Sequence, residues 1–295
     1  MKSQQNAALA RYVSRGRKSI DGWFARTDAE IFRAVLLGQS ACNLAGSAVE
    51  IGAHHGRSLV AICLGLSGAE KAYCIDIFEQ QQLNRDRSGR GDRAILESNL
   101  ARFGVDAGRV VIDPRSSQTV KPDDVLNQVG PARLFSIDGG HWQEIVESDL
   151  RLAEATIAAH GVIALDDFLR VGWPNVTAGY FAWYGSRRKP LVPFAMGFNK
   201  LYLCHEGHVA FYQELLASDP FLRFFVTQRV DYLGHDVLVY KEYISPDMGL
   251  RAWFLICFRY AMPNFYARLR RWLKRPPPGV LPTEPNRSPS HGRAA

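Results

Sequence analysis

Ser136-Ile-Asp-Gly-Gly-His141 and, twenty residues further on, Gly161-Val-Ile-Ala-Leu-Asp-Asp167 are the stretches on which the fold turns. Each contains a short apolar run that gives way to acids. That is the pattern of a buried strand with polar residues at its C-terminal end. In an open α/β sheet, ligands bind at that end of the strands. Asp138, Asp166, Asp167 and His141 therefore read as three carboxylates and an imidazole gathered at one sheet edge, a hard-cation site with a base beside it. Taken singly, each has a plainer reading: Asp138 as a helix cap, His141 as a first-turn residue, Asp166-Asp167 as a turn. Four such residues at two neighbouring strand ends favour the joint site.

Outward from this pair, strands and helices alternate. Ala48–Ile51, Ala72–Ile77, Val110–Ile112, Leu134–Ile137 and Val162–Leu165 read as strands. Gly56–Leu66, Asp92–Phe103 and Trp142–Ala159 read as helices between them. The alternation predicts an α/β fold, doubly wound around a mostly parallel sheet. Beyond Asp167, Asn175–Trp183 and 208–217 read as helices, while Leu201–Cys204 and Asp236–Tyr240 read as an antiparallel edge pair. Trp23–Gln39 has helical periodicity, with Thr27 or Asp28 able to cap its start.

The 295 residues, 47% hydrophobic, suffice for one large domain with additions. Four parts are expected: a polar extension over 1–25, the main domain over 26–245, a basic aromatic segment over 246–275, and a disordered Pro/Ser/Gly/Arg-rich tail over 276–295. Five scattered cysteines without a CxxC pair predict reduced thiols and a cytoplasmic location. Met1-Lys-Ser-Gln-Gln-Asn6 leads into no apolar h-region, and no run of 18 apolar residues occurs, so neither a secretory signal nor a membrane span is expected. The net charge is +7; Arg251, Arg259, Arg268, Arg270, Arg271, Lys274 and Arg275, with no acid among them, supply all of it. The rest of the chain then sums to zero, so the basic balance says nothing of the main domain and does not support nucleic acid as its partner. Trp253–Trp272 mixes aromatics with arginines, and Pro263 interrupts it. Contact of 249–275 with the inner face of an anionic membrane, cover for the core, and a homo-oligomer contact all stay open.

Val49-Glu-Ile-Gly-Ala-His-His-Gly56 places glycines at 52 and 56, a GxxxG rather than a GxGxxG, and no phosphate-binding lysine follows. A triphosphate loop is excluded; a turn that lets a nucleoside or amino-acid group lie against backbone is not. Asp76 ends the second strand twenty residues after Gly56, where an acid can hydrogen-bond ribose hydroxyls.

Glu50-Ile-Gly-Ala-His-His-Gly56, Cys74-Ile-Asp76, Ile137-Asp-Gly-Gly-His141 and Ala164-Leu-Asp-Asp167, in this order and spacing, resemble class I S-adenosylmethionine-dependent methyltransferases. The nearest branch is the metal-dependent sugar O-methyltransferases of the macrocin and mycinamicin type, and the resemblance covers about residues 30–245. It implies a seven-stranded Rossmann-like sheet with an antiparallel edge strand. It implies that Glu50, Gly52 and Gly56 surround the methionine part of the cofactor, that Asp76 holds the ribose, and that Ser116, within Arg115-Ser116-Ser117, touches the adenine. Asp138, Asp166 and Asp167 would bind a divalent metal, and His141 would be the general base. An all-oxygen ligand set suits Mg²⁺. An aliphatic hydroxyl is a poor nucleophile, which a chelating metal and a nearby histidine would correct.

The expected acceptor is a sugar hydroxyl in a polysaccharide, glycolipid or glycosylated natural product. The alternatives are a catechol-type phenol, a hydroxylase-like enzyme of the cephalosporin type, and a non-catalytic, membrane-associated binding protein. The loop 79–91 reads as a lid over the cofactor. For most of Phe168, Trp173, Tyr180, Trp183 and Tyr184, helix packing outweighs an acceptor pocket. Cys204-His-Glu-Gly-His208 reads as a turn rather than a zinc site, and Asp149 as structural.

Overall fold

The computed structural model describes residues 2–224 and 226–240, with 258, 262 and 265 as isolated positions. Sheet and helices belong to the first of two compact units, Met1–Glu242; the second, Tyr243–Ala295, lies outside the described residues except at Phe258, Met262 and Phe265. The segment and tail expected over 246–295 fall there.

Two helices, α1 (Lys2–Ser14) and α2 (Arg26–Ala41), precede the alternating part. That part runs β1 (Ser47–Ile51), α3 (Arg57–Gly65), β2 (Ala72–Ile75), α4 (Arg93–Arg102), β3 (Val110–Asp113), α5 (Pro122–Val129), β4 (Ala132–Ile137), α6 (Gln143–Thr156) and β5 (Ile157–Leu165). Then come α7 (Pro174–Tyr184), β6 (Leu191–Met196), β7 (Leu201–His205), α8 (Val209–Ser218), β8 (Val226–Tyr232) and β9 (His235–Tyr240). One sheet holds all nine strands, in the order β3-β2-β1-β4-β5-β7-β6-β9-β8. The first five in sequence are parallel, and β7 runs antiparallel to β5.

The expected doubly wound, mostly parallel sheet with an antiparallel element is present, with its edge built differently. Leu201–Cys204 and Asp236–Tyr240 do not pair with each other; β6 lies between them, antiparallel to β7 and parallel to β9. A β8–β9 hairpin extends the sheet from seven strands to nine. The long helix ends at Thr156 rather than Ala159, and the next residue already pairs with Ala132 of β4.

Alternation along the strands explains the two-sided core. Ala48, Ala72, Cys74, Leu134, Val162, Ala164 and Cys204 face one cluster with α1, α2, α3, α4 and α8. Val49, Ile51, Tyr73, Ile75, Phe135, Ile137, Ile163 and Leu165 face another with α5, α6 and α7. The N-terminal residues take part, since Leu9, Tyr12 and Val13 of α1 are buried in the first cluster.

At the N-terminal edge of the strands, Arg133 is fully buried. Its terminal nitrogens donate to Leu36 O, Gln39 Oε1, Ser40 Oγ, Gly65 O and, at 2.8 Å, Glu70 Oε2. Among the described residues, no helix is long and apolar enough to cross a membrane.

Candidate active site at the carboxyl edge of the sheet

The opposite edge holds the residues singled out by their motifs. Where β1 ends, Gly52 (φ +80°) turns the chain, and Gly56 (φ +85°) does so again before α3. Both values lie where side chains are strained, which is the reason for glycine. At Gly52 there is a second reason: a Cβ there would sit 1.8 Å from the Asp138 carbonyl oxygen. The turn after β1 and the acid after β4 are thus packed backbone against backbone. Asp138 N–H donates to Ile51 O, and Asp166 N–H to Ile137 O, both at 2.9 Å, so the three strand ends are tied in sequence.

Glu50 is 1% exposed, and neither carboxylate oxygen has a hydrogen-bond partner. Burial drives its pKa up to about 7, against the pull of Ser58 and Lys200. An unpartnered buried acid is costly, and a cationic ligand would satisfy it. Asp76, also buried, accepts from His54 N–H and Phe78 N–H, both at 2.8 Å. A carboxylate has about four lone-pair sites, so capacity for a further donor remains. Ser116 is half-buried, and its carbonyl caps the following turn through Thr119. Its neighbour Arg115 is held away by Asp113 and Asp124, a structural role.

His141 is the most connected group of the edge. Its Nδ1 lies 2.6 Å from Asp86 Oδ2, and its Nε2 lies 3.0 Å from Asp167 Oδ2. Trp173 stacks on the ring, centroids 4.2 Å apart and planes 11° from parallel. Burial alone would lower the imidazole pKa; Asp167 and Asp86 outweigh it and raise it. Asp167, in the left-handed region at φ +54°, also accepts from Arg170 at 2.6 Å and Asn199 at 3.1 Å. Burial would raise its pKa, but these partners bring it down to about 2.

Asp166 faces the other way. Its Oδ2 lies 2.5 Å from the Nζ of buried Lys200, and its Oδ1 accepts from Asp167 N–H. Asp138 has its carboxyl pushed well above the usual range, first by burial and then by the Asp166 carboxylate. The ligand atoms of Asp138, His141 and Asp167 lie within 4.8 Å of one another, a spacing from which one cation can be grasped. The structure thus brings Asp138, His141 and Asp167 together, with Asp166 adjoining through Lys200.

The contributions of Asp86, Lys200 and Trp173 escape sequence reasoning. Asp86 belongs to the loop 79–91, which runs from Asp76 at the end of β2 to His141. Gly91 backs onto Asp76, Arg85 pairs with Glu144 and covers Trp142, and Asp86 takes His141. Of the aromatics after β5, Phe168, Tyr180 and Trp183 are core, as packing predicts, whereas Trp173 reaches the histidine. The zinc reading of 205–208 stays a turn, with His205 accepting from Gly207 N–H.

Comparison with known proteins agrees with this architecture. Residues 49–168 match the family described as "Methyltransferase domain". No curated protein matches the chain. Among solved structures, the O-methyltransferase NovP is similar over 70% of this chain and 99% of its own, at 10% identity and a TM-score of 0.56. CalS11, a TDP-rhamnose 3'-O-methyltransferase, covers 68% and 93% at 14% identity and a TM-score of 0.45. An O-methyltransferase from Bacillus cereus, in complex with SAH, covers 68% and 89% at 16% identity and a TM-score of 0.44. At such identities the NovP likeness speaks for the fold. Residues 49–168 thus carry a methyltransferase domain, on the parallel strands whose ends bear the glycine turn and the acids.

Proposed function

We propose that this methyltransferase is an S-adenosylmethionine- and divalent-metal-dependent O-methyltransferase acting on a sugar hydroxyl. The observation that carries the reading is the adjacency of two unlike sites across Gly52. On one side lies an unpartnered buried acid in a glycine turn, on the other a cluster of acids with a histidine. Glu50, Gly52, Gly56, Asp76 and Ser116 would hold the cofactor. Asp138 and Asp167, with Asp166 behind them, would hold the metal.

When bound, the cofactor supplies an electrophilic methyl on a sulfonium, and the metal orients two neighbouring hydroxyls and lowers their pKa. The protein's own residues do the remainder. Asp86 accepts the Nδ1 proton of His141 and so leaves Nε2 as the acceptor. In methyl transfer the Nε2 of His141 would take the proton of the acceptor hydroxyl. Asp86 and Asp167 stabilise the imidazolium so formed. In the resting protein the same two acids favour a protonated ring, so the histidine must lose a proton before each turnover. Trp173 and the exposed Leu169, Val171 and Phe198 offer apolar surface for the ring of a sugar.

The test is methyl transfer to a panel of glycosides and catechols, with EDTA and with Mg²⁺ or Mn²⁺ restored. Glycoside methylation that EDTA abolishes and metal restores is the expected result. Methylation of catechols alone, or turnover indifferent to EDTA, overturns the acceptor or metal assignment. Absence of S-adenosylhomocysteine binding in calorimetry overturns the cofactor assignment.

A further inference from the structure

Lys200 stands in the short connection between β6 and β7, where its carbonyl accepts from Gly197 N–H. It is 3% exposed, and its ammonium lies 2.5 Å from Asp166 Oδ2. It is also close enough to Asp138 and Asp28 for both acids to favour its charged form. Asp28 comes from the first turn of α2, buried, where it accepts from Tyr202 Oη–H at 2.7 Å. A Cβ at Gly197 would fall 1.8 Å from Asp28 Oδ1, so the connection is pressed onto that acid and has little room to move.

A buried ammonium is tolerated only when paired, and a partner that is itself buried cannot be exchanged for water. Asp166 is 6% exposed, and its other oxygen is occupied by the Asp167 N–H. Releasing it to ligate an ion would cost Lys200 its 2.5 Å partner in buried surroundings.

We infer that Lys200 is a built-in counter-ion that removes Asp166 from the donor set, so that a divalent ion is held by Asp138 and Asp167 beside His141. This rests on the metal-dependent reading above. It makes Lys200 a positioning residue that sets how tightly the protein alone holds metal. Two carboxylates hold Mg²⁺ loosely, and an acceptor's own oxygens then complete the shell.

The test is direct titration of the full-length protein with Mn²⁺, followed by electron paramagnetic resonance, and with Mg²⁺ by competition, no substrate being present. Lys200→Met frees Asp166 and is expected to tighten metal binding at least tenfold. The double variant K200M/D166N removes both charges at similar volume, which suits it to fold where the single variant does not. Its metal affinity should stay within threefold of the wild type. A tenfold loss in the double variant would show Asp166 to be a ligand in the native protein and overturn the inference. Unchanged or weaker binding in a folded Lys200→Met does the same. If neither the wild type nor any variant binds Mn²⁺, both the inference and the metal-dependent reading fail. Tight wild-type binding that the double variant loses removes the inference alone.

Discussion

The two edges of the one sheet treat buried charge in opposite ways. At the N-terminal edge, Arg133 is enclosed and its terminal nitrogens are matched by carbonyls, an amide, a hydroxyl and Glu70. At the C-terminal edge, Glu50 and Asp149 are as deeply enclosed, and none of their carboxylate oxygens has a partner. Strand packing alone does not cause this, because the same strands supply both edges. The N-terminal edge is finished by the protein except at Arg133 Nε, whereas the C-terminal edge leaves whole carboxylates unmatched, as a ligand site would. Unmatched buried polar groups in a folded chain ask for such an explanation.

The comparison can be broken most forcefully at His141. His141→Ala should cut turnover about 10²–10⁴-fold, the usual worth of a general base. Cofactor affinity, measured by calorimetry with S-adenosylhomocysteine, should stay nearly unchanged. Parallel loss of both would mean the ring holds the site together rather than taking a proton. At the other edge the reverse is expected. Arg133→Met leaves Glu70 with a charge that Arg133 no longer balances and should cost about 3 kcal/mol of stability in urea unfolding. The folded fraction should keep its cofactor affinity.

A gentler probe uses pH. Burial raises the Glu50 pKa from 4.5 to about 7. The unfolded chain loses this proton first, so the ligand-free protein should lose stability as pH rises from about 4.5 to 7 and level off above. Glu50→Gln should remove about 3 kcal/mol of that decline, at roughly 1.4 kcal/mol for each pH unit between 4.5 and 7. A slope identical in wild type and variant would mean that Glu50 already has a partner. The smallest effect belongs to Asp86→Asn, about tenfold in kcat. Because Asp86 helps to raise the His141 pKa, the acid limb of the pH profile should move to lower pH. A tenfold loss with an unmoved profile would make Asp86 merely structural.

What the chain discloses before folding follows the same division. The parallel strands and their terminal acids are legible because apolar runs, β-branched residues and strand–helix alternation are local signals. β6 is not, since Leu191-Val-Pro-Phe-Ala-Met196 carries a proline in mid-run, tolerated here by a register shift between Pro193 and Ala195. β8, Val-Thr-Gln-Arg-Val-Asp-Tyr, has no continuous apolar run and becomes a strand by pairing with β9. Asp86 meets a histidine 55 residues away, and nothing periodic in its loop marks it. Lys200 follows an ordinary Phe-Asn dipeptide, and only the packing of its connection buries it. The motifs disclose groups that a ligand touches; the groups that orient them depend on tertiary contacts.

Gly52 carries a consequence beyond its turn. Because a methyl group there would overlap the Asp138 carbonyl at 1.8 Å, the peptide proposed to receive one reactant and the peptide proposed to receive the other lie backbone against backbone. Methyl transfer demands that donor and acceptor be aligned to within fractions of an ångström. In this protein part of that alignment is a gauge block, one missing carbon thick, set between two strand ends. Gly52→Ala would push the halves of the reaction apart even with every functional side chain intact.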